Sequence, residues 1–168
     1  MMITTSFLET MALYNQWQNE TLFGICNDLS EHQIKRDRGM FFGSIFNTLN
    51  HILYVDRLSH SFIHTKIVPE FDPNVILYSN YQELRTARFE FDRILVQESH
   101  TCSQDWLNEA IEFWSDRLNR KRNVPRAFYY VQLFNHQTHH RSQITSELHK
   151  MGIDYGCTDL PYNPYYAF

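Results

Sequence analysis

Asn135-His136-Gln137-Thr138-His139-His140-Arg141-Ser142-Gln143-Ile144 places three histidines within five residues. Around it, Leu133, His136, His140, Ile144, Leu148 and Met151 recur at three-and-four spacing, with Glu147 beside Leu148 on the same seam. That period predicts a long amphipathic helix in which His136 and His140 interrupt the apolar stripe. His139 is rotated by about 100° from this seam and shares its stripe with Gln132, Asn135, Gln143 and Ser146, so it is expected at solvent or a polar edge.

Two imidazoles four residues apart on a helix face the same way and can hold one divalent metal ion. Spacing alone is weak support, because nine histidines in 168 residues give roughly one chance pair in every two such chains. The chain offers a rival pair, His60 and His64, but these keep company with Asp56, Arg57 and Ser61 and read as a polar surface. Imidazoles among core residues need partners for their nitrogens. A metal supplies one answer; hydrogen bonds to backbone or side-chain oxygens supply the bland one.

Outward from this helix the pattern predicts an all-α protein, a four-helix bundle. The first helix is expected from Thr5 or Ser6 to the region of Asp28 to Ser30, with Phe7, Met11, Tyr14, Trp17, Leu22 and Ile25 as its stripe. A charged connector, Lys35-Arg36-Asp37-Arg38-Gly39, leads to a second helix over residues 43–64. Pro69-Glu70-Phe71-Asp72-Pro73-Asn74 breaks the pattern, and a third helix follows over residues 80–99. Residues 104–124 read as a short additional helix at Trp106 and then an extended connector around residues 111–113 and Asn123. Pro125 suits the first turn of the last long helix, which should end near Met151-Gly152.

A third ligand must come from another element, because Cys26, Cys102 and Cys157 are isolated from one another and from the histidine run. In the second helix His51 is in register with Ser44, Thr48, Val55, Leu58 and Phe62, a stripe that grows apolar toward its end. It is a plausible inward-facing ligand, although its helix cannot be placed opposite the last one by pattern alone.

At this point the chain resembles a known family, the DinB-like (DinB/YfiT) proteins, small helical bundles. The ordered matches are Tyr14-Asn15-Gln16-Trp17-Gln18-Asn19, then Leu49-Asn50-His51-Ile52-Leu53 with Asp56-Arg57-Leu58, then the run from Asn135 to Ile144, then Tyr155-Gly156-Cys157-Thr158-Asp159-Leu160. The resemblance implies one DinB-like bundle domain over residues 1–168 and a divalent metal held by His51, His136 and His140. It departs from the family at Ser142, where glycine is usual after the arginine; this position lies on the polar stripe beside His139. The resemblance also implies a bacterial-type protein, inducible by stress or DNA damage, often paired as a homodimer, and relatives that use low-molecular-weight thiols in transfer or isomerisation.

Composition excludes several other classes. One domain of this length buries roughly 70% of its unfolded surface, and 13 Phe, 10 Tyr and 3 Trp provide core material. No apolar run is long enough to cross a membrane, the N-terminus lacks the basic head of a secretion signal, and the unpatterned cysteines suit a reducing compartment; the expected location is the cytoplasm. A net charge of −4 gives no general attraction to phosphates. The one basic cluster, Arg117, Arg120, Lys121, Arg122 and Arg126, reads as a solvated connector, so no nucleic-acid partner is expected. Phosphate-loop, dinucleotide and Gly-x-Ser-x-Gly signatures are missing.

The leading functional expectation is a metal-dependent enzyme acting on a small molecule, with nickel or zinc as the ion and an open coordination position. Activated water there would make it a hydrolase; an activated low-molecular-weight thiol would make it a transferase or isomerase. Glu147 is the nearest carboxylate to the motif and reads as a helix-edge residue rather than a base. The alternative is a non-catalytic, stress-associated binding protein in which the ion only staples two helices. The aromatic end, Tyr162, Tyr165, Tyr166 and Phe168, is expected to pack on the bundle or on a partner chain.

Overall fold

Thr4 opens the first helix, its hydroxyl accepting the Phe7 N–H, so that α1 runs Thr5–Asn27. The computed structural model describes residues 3–166. A short helix that the pattern reading passed over, α2 (Glu31–Lys35), follows at once and is closed by a capping box between Ser30 and Gln33. Its signature, Ser followed three residues later by Gln, is present in the sequence. Ser44 caps α3 (Ile45–Thr65), and Asn80 caps α4 (Tyr81–Thr101) by accepting from the Gln82 and Glu83 N–H groups.

Residues 104–125 form a short helix and a hairpin. Helix α5 (Gln104–Asn108) leads into β1 (Ala110–Ser115), which pairs antiparallel with β2 (Arg120–Pro125), Ala110 opposite Pro125 and Ser115 opposite Arg120. The basic cluster is therefore not simply a solvated connector. Arg126 is buried, pairs with Glu109, donates from Nε to the Ile63 carbonyl at 3.0 Å, and lies over the Trp106 ring. It ties the hairpin and α5 to the end of α3.

Pro125 is the N-cap of α6 (Arg126–Lys150). This helix ends in a Schellman motif: Ile153 N–H donates to Leu148 O at 3.0 Å and Gly152 N–H to His149 O at 2.9 Å. The motif needs a left-handed residue, and Gly152 supplies it at φ +75°.

The four long helices form the bundle, α1 packed along α4 and α3 along α6. Leu8 and Phe23 of α1 meet Leu49 and Leu53 of α3, Leu84 of α4 and Phe134 of α6 in one buried cluster. None of the described helices is long and apolar enough to cross a membrane. At the C-terminal end the Tyr165 hydroxyl bonds Glu20 of α1 and Tyr166 is half-buried, whereas Tyr162 is exposed. Phe168 lies outside the described residues.

A buried polar network crosses this core. Arg88 of α4 donates to Asp56 of α3 at 2.5 Å and to Asp92 at 2.7 Å, and all three are almost fully buried. The Asn19 amide of α1 donates to Asp92 and, at 3.0 Å, to the Gln137 amide oxygen of α6, which also accepts from Arg141 at 2.9 Å. All four long helices thus contribute. The polar face expected at Asp56 is turned inward at that residue, because Arg88 compensates the charge. Burial pushes the Asp56 carboxyl up to about 7, with Arg88 opposing it.

Candidate metal centre

The α3–α6 contact brings His51 to the inward seam of the last helix. His51 and His140 are buried and His136 is half-buried, and one ligand nitrogen from each lies within 4.8 Å of the others. Ring centroids are 5.1 Å apart for His51 and His136, 4.7 Å for His51 and His140, and 4.4 Å for His136 and His140. The Nε2 atoms of His51 and His136 are 3.2 Å apart. Two nitrogens at roughly 2.0–2.1 Å from a tetrahedral ion stand about 3.3 Å from each other, so this spacing fits a shared cation.

Protonation fits as well. Burial, followed by the neighbouring His140, lowers His51 to about 4, and burial with the other histidines lowers His136 to about 3. Burial also lowers His140. At neutral pH the centre presents three uncharged imidazoles, the form that binds a metal. His140 is further oriented: its Nδ1 lies 2.9 Å from the Gln143 amide oxygen. That oxygen only accepts, so Nδ1 carries the proton and Nε2 is left with its lone pair. Nδ1 of His51 and of His136 is buried without a hydrogen-bond partner.

The imidazoles open onto a cavity of about 420 Å³ lined by Phe41, Phe42, Val55, Phe71 and Pro73. Phe42 stacks on His51 with centroids 3.8 Å apart and is held by the Asn47 side-chain amide on its carbonyl at 3.1 Å. Phe71 stacks on Tyr54, whose hydroxyl accepts the Asp72 N–H. Among the described residues no carboxylate lines this cavity. The family model described as the DinB family matches residues 1–167. The chain belongs to the DinB family.

Solved structures agree on the fold of this DinB chain. A DinB-like protein from Bacillus cereus superposes with a TM-score of 0.62 at 16% identity, over 84% of this chain and 90% of that one. YfiT from Bacillus subtilis, described as a probable metal-dependent hydrolase with an unusual four-helix bundle topology, gives 0.68 at 9% identity, over 90% and 91%. No curated protein matches the chain.

Within the DinB frame, the expected ligand residues His51, His136 and His140 are brought together, and His139 is exposed. Glu147 is not at the cavity; it is mostly buried and pairs with Lys150 at 2.6 Å. Ser142 is exposed, its hydroxyl donating to the His139 carbonyl, and does not line the cavity. Gln143 was expected on the solvent stripe but bonds His140; its i,i+3 spacing was the available signal. The aromatic wall had no such signal, because Phe41, Phe42 and Phe71 sit in connectors outside any helical period. His60 and His64 are also not a plain solvated face, since both contact Glu98 of α4.

Proposed function

We propose that this DinB chain is a metal-dependent enzyme whose His51, His136 and His140 hold one divalent transition metal, zinc or nickel, with a coordination position open to the aromatic cavity. The observation that supports it most is the convergence of three neutral imidazoles, from two helices, at the floor of a cavity without a carboxylate among the described residues. Bound there, the ion would supply Lewis acidity and lower the pKa of a water or thiol donor.

The chain's own groups would then do the rest. Gln143 fixes the His140 tautomer and ring plane, and Phe42 fixes the plane of His51. Phe41, Val55 and Phe71 offer an apolar wall that would receive an apolar portion of the substrate. The substrate class is therefore a small molecule with an apolar body. Hydrolysis and transfer of a low-molecular-weight thiol are the two reactions such a centre serves. Pairing of two copies, which the family resemblance implies, belongs to the same proposal and is read by sedimentation velocity.

The test is a screen of zinc- and nickel-loaded protein against aryl esters and amides, and against aryl electrophiles with added thiols. Turnover that disappears in His51→Ala together with one metal equivalent supports the proposal. Turnover that survives that loss overturns it; a bound ion with no turnover in either arm leaves the helix-stapling alternative standing in its place.

A further inference from the structure

A second cluster of ligating side chains lies beyond the first on the same helix. His60 and His64 of α3 are one turn apart, with ring centroids at 4.4 Å, and both reach Glu98 of α4. His60 Nε2 lies 3.1 Å from one carboxylate oxygen of Glu98, and His64 Nε2 contacts the other. One ligand atom from each of the three falls within 4.8 Å of the others. His51 and His60 are nine positions apart on α3, about 13–14 Å along the axis, so the two clusters cannot share an ion.

We propose that His60, His64 and Glu98 form a second divalent-metal site of the zinc type. Two histidines and one glutamate are a three-ligand zinc set that leaves the fourth position to solvent. The surroundings suit it. Phe91 packs edge-on against His60, and Trp106 lies beside His64, walling the cluster on its inner side. The Glu98 side chain is 14% exposed and the His64 side chain 39% exposed, so the carboxylate is sheltered while an entry path stays open at His64. Beside them the buried Tyr130 hydroxyl turns toward Glu98, and after burial itself the Glu98 carboxylate is the strongest influence raising its phenol.

The placement gives the site a structural consequence. Helices α3 and α4 belong to different packed pairs and touch each other only sparsely. An ion shared by His60, His64 and Glu98 would clamp them, stabilising the fold by mass action in proportion to its occupancy. Its charge is partly offset by Glu98, unlike that of an ion on three neutral imidazoles, so it is the poorer Lewis acid and the better staple.

Calorimetric titration of tag-free, metal-free protein with zinc tests this. Wild type is expected to take up two equivalents, and His64→Ala, at an exposed position, only one. The triple variant His51→Ala/His136→Ala/His140→Ala should keep one equivalent and a zinc-dependent rise in Tm that Glu98→Gln abolishes. One equivalent in wild type, unchanged by His64→Ala, would overturn the second site. A single equivalent that survives the triple variant and disappears with His64→Ala would instead sustain this site while removing the ion assigned to the first.

Discussion

The Nε2 atoms of His51 and His136 face each other at 3.2 Å across 85 residues of sequence. Neutral imidazoles in that relation either share a proton or direct both lone pairs at a common cation, because two unshared lone pairs at this distance repel. The nearby His140, whose Nδ1 is engaged by Gln143, adds a third lone pair. The chemistry of the centre therefore turns on how these nitrogens are satisfied.

Gln143→Leu removes the acceptor that fixes the His140 tautomer without altering a ligand. Metal affinity at the triad is expected to fall roughly 10–100-fold, with helicity unchanged. Competition against a chromophoric chelator measures it; an unchanged affinity would mean that the Gln143 contact does not orient His140.

The long helices were legible in the sequence because their stripes are strong and their ends carry ordinary signals: Asn80 as a cap, Pro125 at the start of α6 and Gly152 past its end. His136, His140 and the exposure of His139 could be read from helix geometry, whereas His51 needed the family resemblance to choose its partner helix. Arg88 and Asp92 stand at i,i+4 on one helix, a spacing the sequence shows, but their burial against Asp56 was not legible, since charge pairing across helices has no period along the chain. His64 is exposed and His60 half-buried, as their polar company suggested, but Glu98 beside them was not legible for the same reason, since it lies on another helix.

That network makes a stability prediction. Arg88→Leu leaves Asp56 and Asp92 buried without their cation, and unfolding free energy should drop by about 3–5 kcal/mol. Urea denaturation measures it. A loss no larger than that of an exposed arginine such as Arg93 would contradict the role given to Arg88.

The metal-free protein should also lose stability in acid through His136. Its folded pKa is lowered from 6.5 to about 3, so between those values the unfolded chain binds a proton that the folded chain refuses. The contribution is fully present above about pH 6.5 and declines as pH falls toward the folded value. His136→Phe lacks this titration. The stability of wild type relative to that variant should shrink between pH 7 and pH 4, and a gap independent of pH would show that His136 is not held neutral by burial.

The most direct measurement is metal content of tag-free protein by mass spectrometry after reconstitution with zinc or nickel and removal of excess ion. His51→Ala, His136→Ala and His140→Ala are each expected to lose one equivalent relative to wild type, whereas His139→Ala should lose none. Wild-type metal content retained in all three triad variants would contradict the three-histidine centre.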